Sequence, residues 1–367
     1  MRILVLNYEF PPLGGGAGNA TYYLLKEFSK YKDLEIDLVT SSTDKFKTQK
    51  FSKNITIHFL DINKKRKSLH YQSNKDLLTY FWKAYKYSKK LMKSKSFDLC
   101  HAFFGIPCGY IAMKLKVPYI VSLRGSDVPF YNKRFYWMDK LFFGSLSKKI
   151  WENARLVIAN SQGLKQLALK NSPNQKIEVI PNGIDTTEFK PLMSRRSRKN
   201  LRLISTGRLI ERKGYSYLID ALKGIDNVEL ILVGDGNLRE DLENKVIKNK
   251  VNVKFLGKKS HKEISNLLRT SDVFVLPSLN EGMSNSVLEA MASGLPIITT
   301  DTGGSEELIK GNGFIVRKSS SEQLRQTINK FLISLSLVKS MGNISRKIAE
   351  KMSWKNVADD YKRAYLT

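Results

Sequence analysis

The chain has 367 residues, enough for two domains with full cores. Its 62 Lys and Arg against 34 Asp and Glu give a formal net charge of +28, and it has only two cysteines, Cys100 and Cys108. So few cysteines exclude a disulfide framework and indicate a reducing compartment; His101 between them does not complete a zinc spacing, so both read as core residues.

MRILVLNYEF, followed by Pro-Pro and three glycines, reads as a buried strand entering a loop rather than a signal peptide. No apolar run approaches the ~18 residues of a membrane span. Short β-branched runs then alternate with longer helical patterns, the signature of parallel α/β units. Strands are expected at Arg2–Leu6, Ile36–Thr40, Ile55–Phe59, Leu99–Ala102, Tyr119–Leu123, Leu156–Ala159 and Ile177–Ile180. The polar, basic stretch PLMSRRSRKN at 191–200 is taken as an interdomain linker. A second series follows at Arg202–Thr206, Glu229–Val233, Val253–Leu256, Val273–Leu276, Ile297–Thr300 and Gly313–Val316. The fold class is therefore α/β, with two Rossmann-like domains.

Ligands of such sheets bind beyond the carboxyl ends of the strands. After the first strand, Gly14, Gly15, Gly16 and Gly18 lead into a helix expected near Asn19, where backbone N–H groups can approach an anion. The dinucleotide spacing G-x-G-x-x-G fails at Asn19, which weakens a nicotinamide or flavin reading. After the first strand of the second series come Arg208 and, beside Gly214, Lys213. Two cations at a strand end suit a diphosphate, whose oxygens gain charge when a bond to it breaks. Ser286 and Glu289 have capping-box spacing. Capping leaves Glu281, upstream in a loop with Gly282, without a structural reason.

Taken together these residues resemble the retaining glycosyltransferases of family 4, which have the GT-B fold. The resemblance is carried by Glu281 and Glu289 with seven residues between them, AMASGLPIITTDTGGSEELI at 290–309, and Arg208 and Lys213 in GRL…KG. VGDG at 233–236, FLG at 255–257, LPS at 276–278, IPNGID at 180–185 and the glycines at 14–16 also match. SWKNVADDYKRAY, 353–365, resembles the family's helix that crosses back onto the first domain.

The resemblance implies an acceptor-binding domain at 1–187, a nucleotide-sugar domain at 188–350 and a returning helix at 351–367, the two domains facing each other across a cleft. It implies that Glu289 holds the nucleotide ribose, that Glu281 faces hydroxyls of the transferred sugar, and that Arg208 and Lys213 neutralise the leaving diphosphate. Gly15, Gly16, Gly282, Ser284, Asn285 and Ser286 complete the expected donor site. A hexose or N-acetylhexosamine would move from a UDP-sugar with retention by front-face attack, needing no enzyme nucleophile. The family often has His-Gly-[Ser/Thr]-Asp after a first-domain strand. Here the stretch is SLRGSDVP, so Arg124 stands in place of His, while Asp127 matches and joins the expected catalytic set. Arg124 and His101 are candidate contacts to acceptor or sugar. No metal or other cofactor is expected, because no Asp-x-Asp occurs and the phosphate partners are already cationic. Two alternatives stay open: a nucleotide-sugar epimerase of the same fold, and a basic nucleic-acid-binding protein, for which no recognised motif exists and no specific nucleic acid is expected.

The charge is uneven: residues 51–150 hold 20 Lys and Arg against 5 Asp and Glu, a net of 20 − 5 = +15. In 77–93, helical phasing puts Leu77, Tyr80, Phe81, Ala84, Leu91 and Met92 on one face, with Lys83, Lys86, Lys89, Lys90, Lys93 and Trp82 opposite. In 134–150, Phe135, Met138, Phe142 and Leu146 are expected to face the core, and Trp137, Leu141, Arg134, Lys140 and Lys148 to point outward. Aromatics beside lysines suit an anionic bilayer surface. The expectation is a cytoplasmic protein, peripheral on the inner face of the cell membrane, using a lipid-linked or cell-envelope glycan as acceptor.

Overall fold

The computed structural model describes residues 1–64, 69, 72–131, 136–192, 200–281, 283–302 and 304–367. Arg134, Phe135, Gly282 and most of the 191–200 stretch therefore lie outside the described residues. The chain divides into two units, Met1–Asn182 with Trp354–Thr367, and Gly183–Ser353.

The first unit holds β1 (Arg2–Leu6), β2 (Glu35–Ser42), β3 (Lys47–Lys50), β4 (Ile55–Asp61), β5 (Leu99–Phe103), β6 (Tyr119–Leu123), β7 (Leu156–Ala159) and β8 (Ile177–Val179). They form one sheet in the order β3-β4-β2-β1-β5-β6-β7-β8, parallel except for β3, which runs antiparallel along β4. β5, β6 and β7 are buried throughout, as apolar strands covered on both faces must be. β3 is KTQK, exposed along its whole length, and carries no apolar signal for a sequence reading to find.

The C-terminal helix Trp354–Leu366 belongs to this unit. Trp354, Val357, Ala358, Tyr361, Ala364 and Tyr365 are buried in its core, and Trp354 stacks on Tyr23 with ring centroids 5.6 Å apart. The apolar stripe at i, i+3, i+4, i+7 is what brings the end of the chain back.

The second unit holds β9 (Leu201–Thr206), β10 (Val228–Val233), β11 (Val253–Phe255), β12 (Val273–Leu276), β13 (Ile297–Thr300) and β14 (Gly313–Val316). They form an all-parallel sheet in the order β11-β10-β9-β12-β13-β14. That is the Rossmann order 3-2-1-4-5-6, with its switch point between β9 and β12.

The chain crosses between units at Asn182–Gly183, ahead of the stretch read as a linker. The reason is packing: Ile184 bridges to Ser353, Phe189 is buried in the second unit's core, and Arg346 holds the carbonyls of Thr186 and Phe189. Residues 183–190 are thus already part of the second unit.

Helix Asn74–Ser94 follows its expected phasing: Tyr80, Ala84 and Leu91 are buried, and all five lysines and Trp82 are exposed. The 136–150 segment does not. Met138 and Phe142, expected to face the core, are exposed with Tyr136, Trp137 and Leu141. A π-helical turn at Asp139–Phe143 interrupts the 3.6-residue phasing and turns Asp139 inward, where its carboxylate accepts the Phe130 N–H at 2.8 Å. Among the described residues no helix is long and apolar enough to cross a membrane.

Candidate functional site

The switch point of the second sheet is framed by the loops after β9 and β12. Glycines let these loops touch backbone to backbone. Gly214 has φ +65°, and a Cβ there would lie 2.1 Å from the Pro277 carbonyl oxygen. A Cβ on Gly234, in VGDG, would lie 1.9 Å from the Gly207 carbonyl oxygen, so the loop after β10 closes on the same place. The Leu279 N–H donates to the Arg212 carbonyl at 2.8 Å, and the Arg212 guanidinium reaches the Asn280 carbonyl at 3.4 Å.

This framework brings Lys213 and Glu281 together. Lys213 Nζ lies 2.6 Å from Glu281 Oε1, with both side chains 11% exposed. Ser278 Oγ donates to the same oxygen at 3.2 Å. An ammonium has three donors, so Lys213 can hold Glu281 and still present protons to an anion. Arg208, past the end of β9, is exposed and has no side-chain partner among the described residues. The site therefore presents one free guanidinium and one ammonium fixed by a carboxylate. Ser278 was missed as a contributor from the sequence, although it sits in LPS; nothing in a motif shows which hydroxyl will reach which carboxylate.

Glu289 lies in the second turn of helix Asn285–Ala292, so the capping-box reading is corrected. Ser284, not Ser286, occupies the N-cap, it makes no side-chain cap bond, and its hydroxyl meets that of Ser286 at 3.0 Å. The Glu289 side chain has no hydrogen-bond partner among the described residues. Burial, aided by the charge of Glu188, pushes its carboxyl up to about 8. A carboxyl titrating there can either donate or accept a hydrogen bond near neutral pH. Asn285 is half-buried in the first turn of the same helix.

The first unit uses its matching residues differently. His101 is fully buried, with Nδ1 2.8 Å from the Tyr365 hydroxyl and Nε2 2.8 Å from the Ser122 hydroxyl. Burial, then the nearby Arg124 charge, holds its pKa well below the usual histidine range. Expected as a ligand contact, it has both ring nitrogens engaged within the fold: Nδ1 on the C-terminal helix and Nε2 on the Ser122 hydroxyl of β6. Arg124 donates to Asn182 Oδ1 at 2.9 Å and to the Tyr361 hydroxyl at 3.2 Å, and lies 4.6 Å from the Phe103 ring centroid. Asp127 accepts the N–H groups of Gly105, Arg124 and Gly125 at 2.8, 2.9 and 3.0 Å, while burial raises its pKa. Both its oxygens organise loops.

The glycine loop is also self-occupied. The helix begins at Gly16, with Gly15 at its N-cap, and the Gly15 N–H donates to Glu9 Oε2 at 3.0 Å. Glu9 was not singled out from the sequence, where a loop contact six residues apart leaves no pattern. Cys100 and Cys108 are free and buried.

The whole chain superposes on sucrose-phosphate synthase from Thermosynechococcus elongatus with a TM-score of 0.83 and 20% identity, covering 100% of this chain and 98% of the other. With its two parallel sheets, this is a GT-B fold. The chain belongs to glycosyltransferase family 4: residues 14–188 match the family model described as Glycosyltransferase Family 4, and residues 186–348 that described as Glycosyl transferases group 1. An uncharacterized glycosyltransferase of Methanocaldococcus jannaschii is 28% identical over 100% of this chain and 98% of its own length. The Escherichia coli UDP-Gal:alpha-D-GlcNAc-diphosphoundecaprenol alpha-1,3-galactosyltransferase is 31% identical over 62% of this chain and 64% of its own length.

Proposed function

We propose that this glycosyltransferase moves a hexose or N-acetylhexosamine, with retention of configuration, from a UDP-sugar to a hydroxyl of a lipid-linked or cell-envelope glycan. The observation that carries the reading is the Lys213–Glu281 pair at the switch point, with exposed Arg208 at the same strand end. The two cations take the diphosphate and stabilise the charge that grows on it as the sugar leaves. Glu281 aims the Lys213 ammonium and turns its second oxygen to hydroxyls of the transferred sugar. Glu289 accepts the ribose diol. Ser284 and Ser286 lie beside the sugar and bear on its stereochemistry. Asp127 and Arg124 are positioning residues: Asp127 sets the loop after β6, and Arg124 ties that loop to the C-terminal helix.

The E. coli relative's name supports both the UDP donor and the lipid-linked acceptor. Peripheral docking on an anionic bilayer is part of the same reading. Tyr136, Trp137, Met138, Leu141 and Phe142 form an apolar knuckle, with Trp137 68% and Leu141 78% exposed. Lys140 Nζ lies 5.6 Å from the Trp137 ring centroid, as suits a residue at the headgroup level. The reaction needs no divalent metal, so EDTA leaves it unchanged.

A thermal-shift comparison of UDP, GDP and ADP tests the donor assignment. A nucleotide at 100 times its Kd stabilises by roughly 2.7 kcal/mol. UDP should lead; equal shifts from all three, or none, overturn the assignment.

A further inference from the structure

Helix Asn74–Ser94 does more than present charge. Lys83, Lys86, Tyr87 and Lys90 stand at i, i+3, i+4 and i+7, so they share one face. That face forms a wall of a cavity of about 490 Å³, whose other walls are Lys45, Phe46 and the end of β4 at Leu60 and Asp61. Lys83 Nζ donates to the Asp61 backbone carbonyl at 2.6 Å, which fixes the helix to the strand end. Lys45, Lys86 and Lys90 have no carboxylate partner among the described residues. Unpaired ammonium groups gathered round one cavity repel each other until an anion enters.

The aromatic side of the cavity is held in place from behind. Phe46 and Tyr87 have ring centroids 5.2 Å apart. The Tyr87 hydroxyl lies 2.9 Å from His58 Nδ1, and His58 Nε2 lies 2.8 Å from Asp37 Oδ1. Lys95 Nζ reaches both Asp37 oxygens at 2.9 Å. Asp37 and His58 are buried, so this chain of contacts anchors Tyr87 to β2 and β4. Of the remaining lysines of the expected membrane face, neither Lys89 nor Lys93 lines the cavity, and Lys89 instead lies over the Tyr85 ring.

We infer that this groove binds the phosphate or diphosphate ester of a lipid-linked acceptor. The inference rests on the acceptor class proposed above. Lys45, Lys86 and Lys90 take the phosphate oxygens, and Phe46 and Leu60 receive the first carbons of the lipid. A free inorganic phosphate shares the charge but has nothing to place on Phe46, which is 52% exposed. On this account only Lys86 and Lys90 of the five helix lysines, joined by Lys45, carry the recognition; Lys83 fixes the helix to the end of β4, and Lys89 and Lys93 add only diffuse attraction.

Calorimetric titration of the full chain with geranyl diphosphate and with inorganic pyrophosphate tests this, with UDP in excess to fill the donor site. Geranyl diphosphate should saturate one site and bind several-fold tighter than pyrophosphate. Lys45→Gln/Lys86→Gln/Lys90→Gln should weaken it at least tenfold. Lys75→Gln/Lys89→Gln/Lys93→Gln removes the same charge from exposed positions and should change it less than twofold. Phe46→Ala, a single exposed change, should lower geranyl diphosphate affinity and leave pyrophosphate alone. No saturable binding, or equal weakening by the two triple variants, overturns the site. Equal affinity for the two ligands overturns the lipid assignment. Failure of UDP to bind sinks the donor reading, whereas loss of geranyl diphosphate binding in Lys45→Gln/Lys86→Gln/Lys90→Gln but not in Arg208→Ala upholds the groove by itself.

Discussion

The two units share an architecture and spend their polar residues in opposite ways. At the switch point of the second sheet, Arg208 has no side-chain partner among the described residues, and Lys213 meets Glu281 across two loops that glycines hold together. In the first unit, His101, Arg124 and Asp127 are engaged with Ser122, Tyr365, Tyr361, Asn182 and three backbone amides. There the chemistry-bearing side chains hold the C-terminal helix and the loop after β6. Residue type alone therefore does not tell a ligand contact from an anchor. What decides is whether the partners of the side chain are already supplied by the fold.

The sharpest way to break this comparison is to remove the cations. Arg208→Ala and Lys213→Ala should each lower turnover about 100- to 1000-fold, the size expected for losing one group that stabilises developing charge. Steady-state rates and UDP calorimetry on each variant check it, and unchanged UDP affinity in both would place the diphosphate elsewhere. The double variant should lose less than the sum, because the two cations act on one leaving group.

His101→Ala should act on stability instead. It leaves the Ser122 and Tyr365 hydroxyls with one partner fewer in a buried site, a loss of about 3 kcal/mol. Denaturant unfolding should show that loss, while UDP affinity of the folded protein stays as it was. The sign of the pH effect follows from burial. His101 stays neutral in the fold at pH values where the unfolded residue takes up a proton, so its contribution to stability is lost as pH falls below about 6.5. An unchanged unfolding midpoint with lost turnover would make His101 a ligand contact after all.

Glu289 gives the smallest effect and sharpens the picture of the donor site. A ribose diol that donates to its carboxylate favours the ionised form, so donor binding releases a proton. UDP-glucose affinity should rise by up to about thirtyfold between pH 6.5 and 9, as the carboxyl titrates near 8, and then level off. A nucleotide sugar has no phosphate proton of its own to lose in this range, so the slope belongs to the protein. Calorimetry in buffers of different ionisation heat reads the proton directly, and Glu289→Gln should abolish the slope. The same raised value means that the ionised form costs stability, so this residue's contribution to folding falls as pH rises from about 4.5 to 8.

Much of the fold was legible because parallel strands are apolar runs of four to six residues, and the edges of β1, β6, β7, β12, β13 and β14 coincide with such runs. β3 was illegible because an exposed edge strand needs no apolar residues. The 136–150 face was misread at Met138 and Phe142, just before and within the π-turn that breaks the regular phasing, whereas Leu146 after it packs against the core as expected. Arg208, Lys213 and Glu281 could be singled out from residue type and strand-end position. Their pairing could not, since it depends on Gly214 and Gly234 admitting backbone contacts between loops far apart in sequence. His101 sat at a strand with a suitable pattern, but its burial depends on Tyr361 and Tyr365, which come from the other end of the chain.

The central claim is that the carboxylate paired with Lys213 serves the reacting sugar rather than the nucleotide. It is tested by measuring donor turnover and UDP affinity together in Glu281→Ala, with sugar release from UDP-glucose followed by proton NMR so that the anomer formed is read in the same trace. Turnover should fall about 100-fold while the Kd for UDP moves less than about threefold, and the wild-type product should appear first as the α anomer. Full turnover in Glu281→Ala, or a loss of UDP binding as large as the loss of rate, would contradict the account.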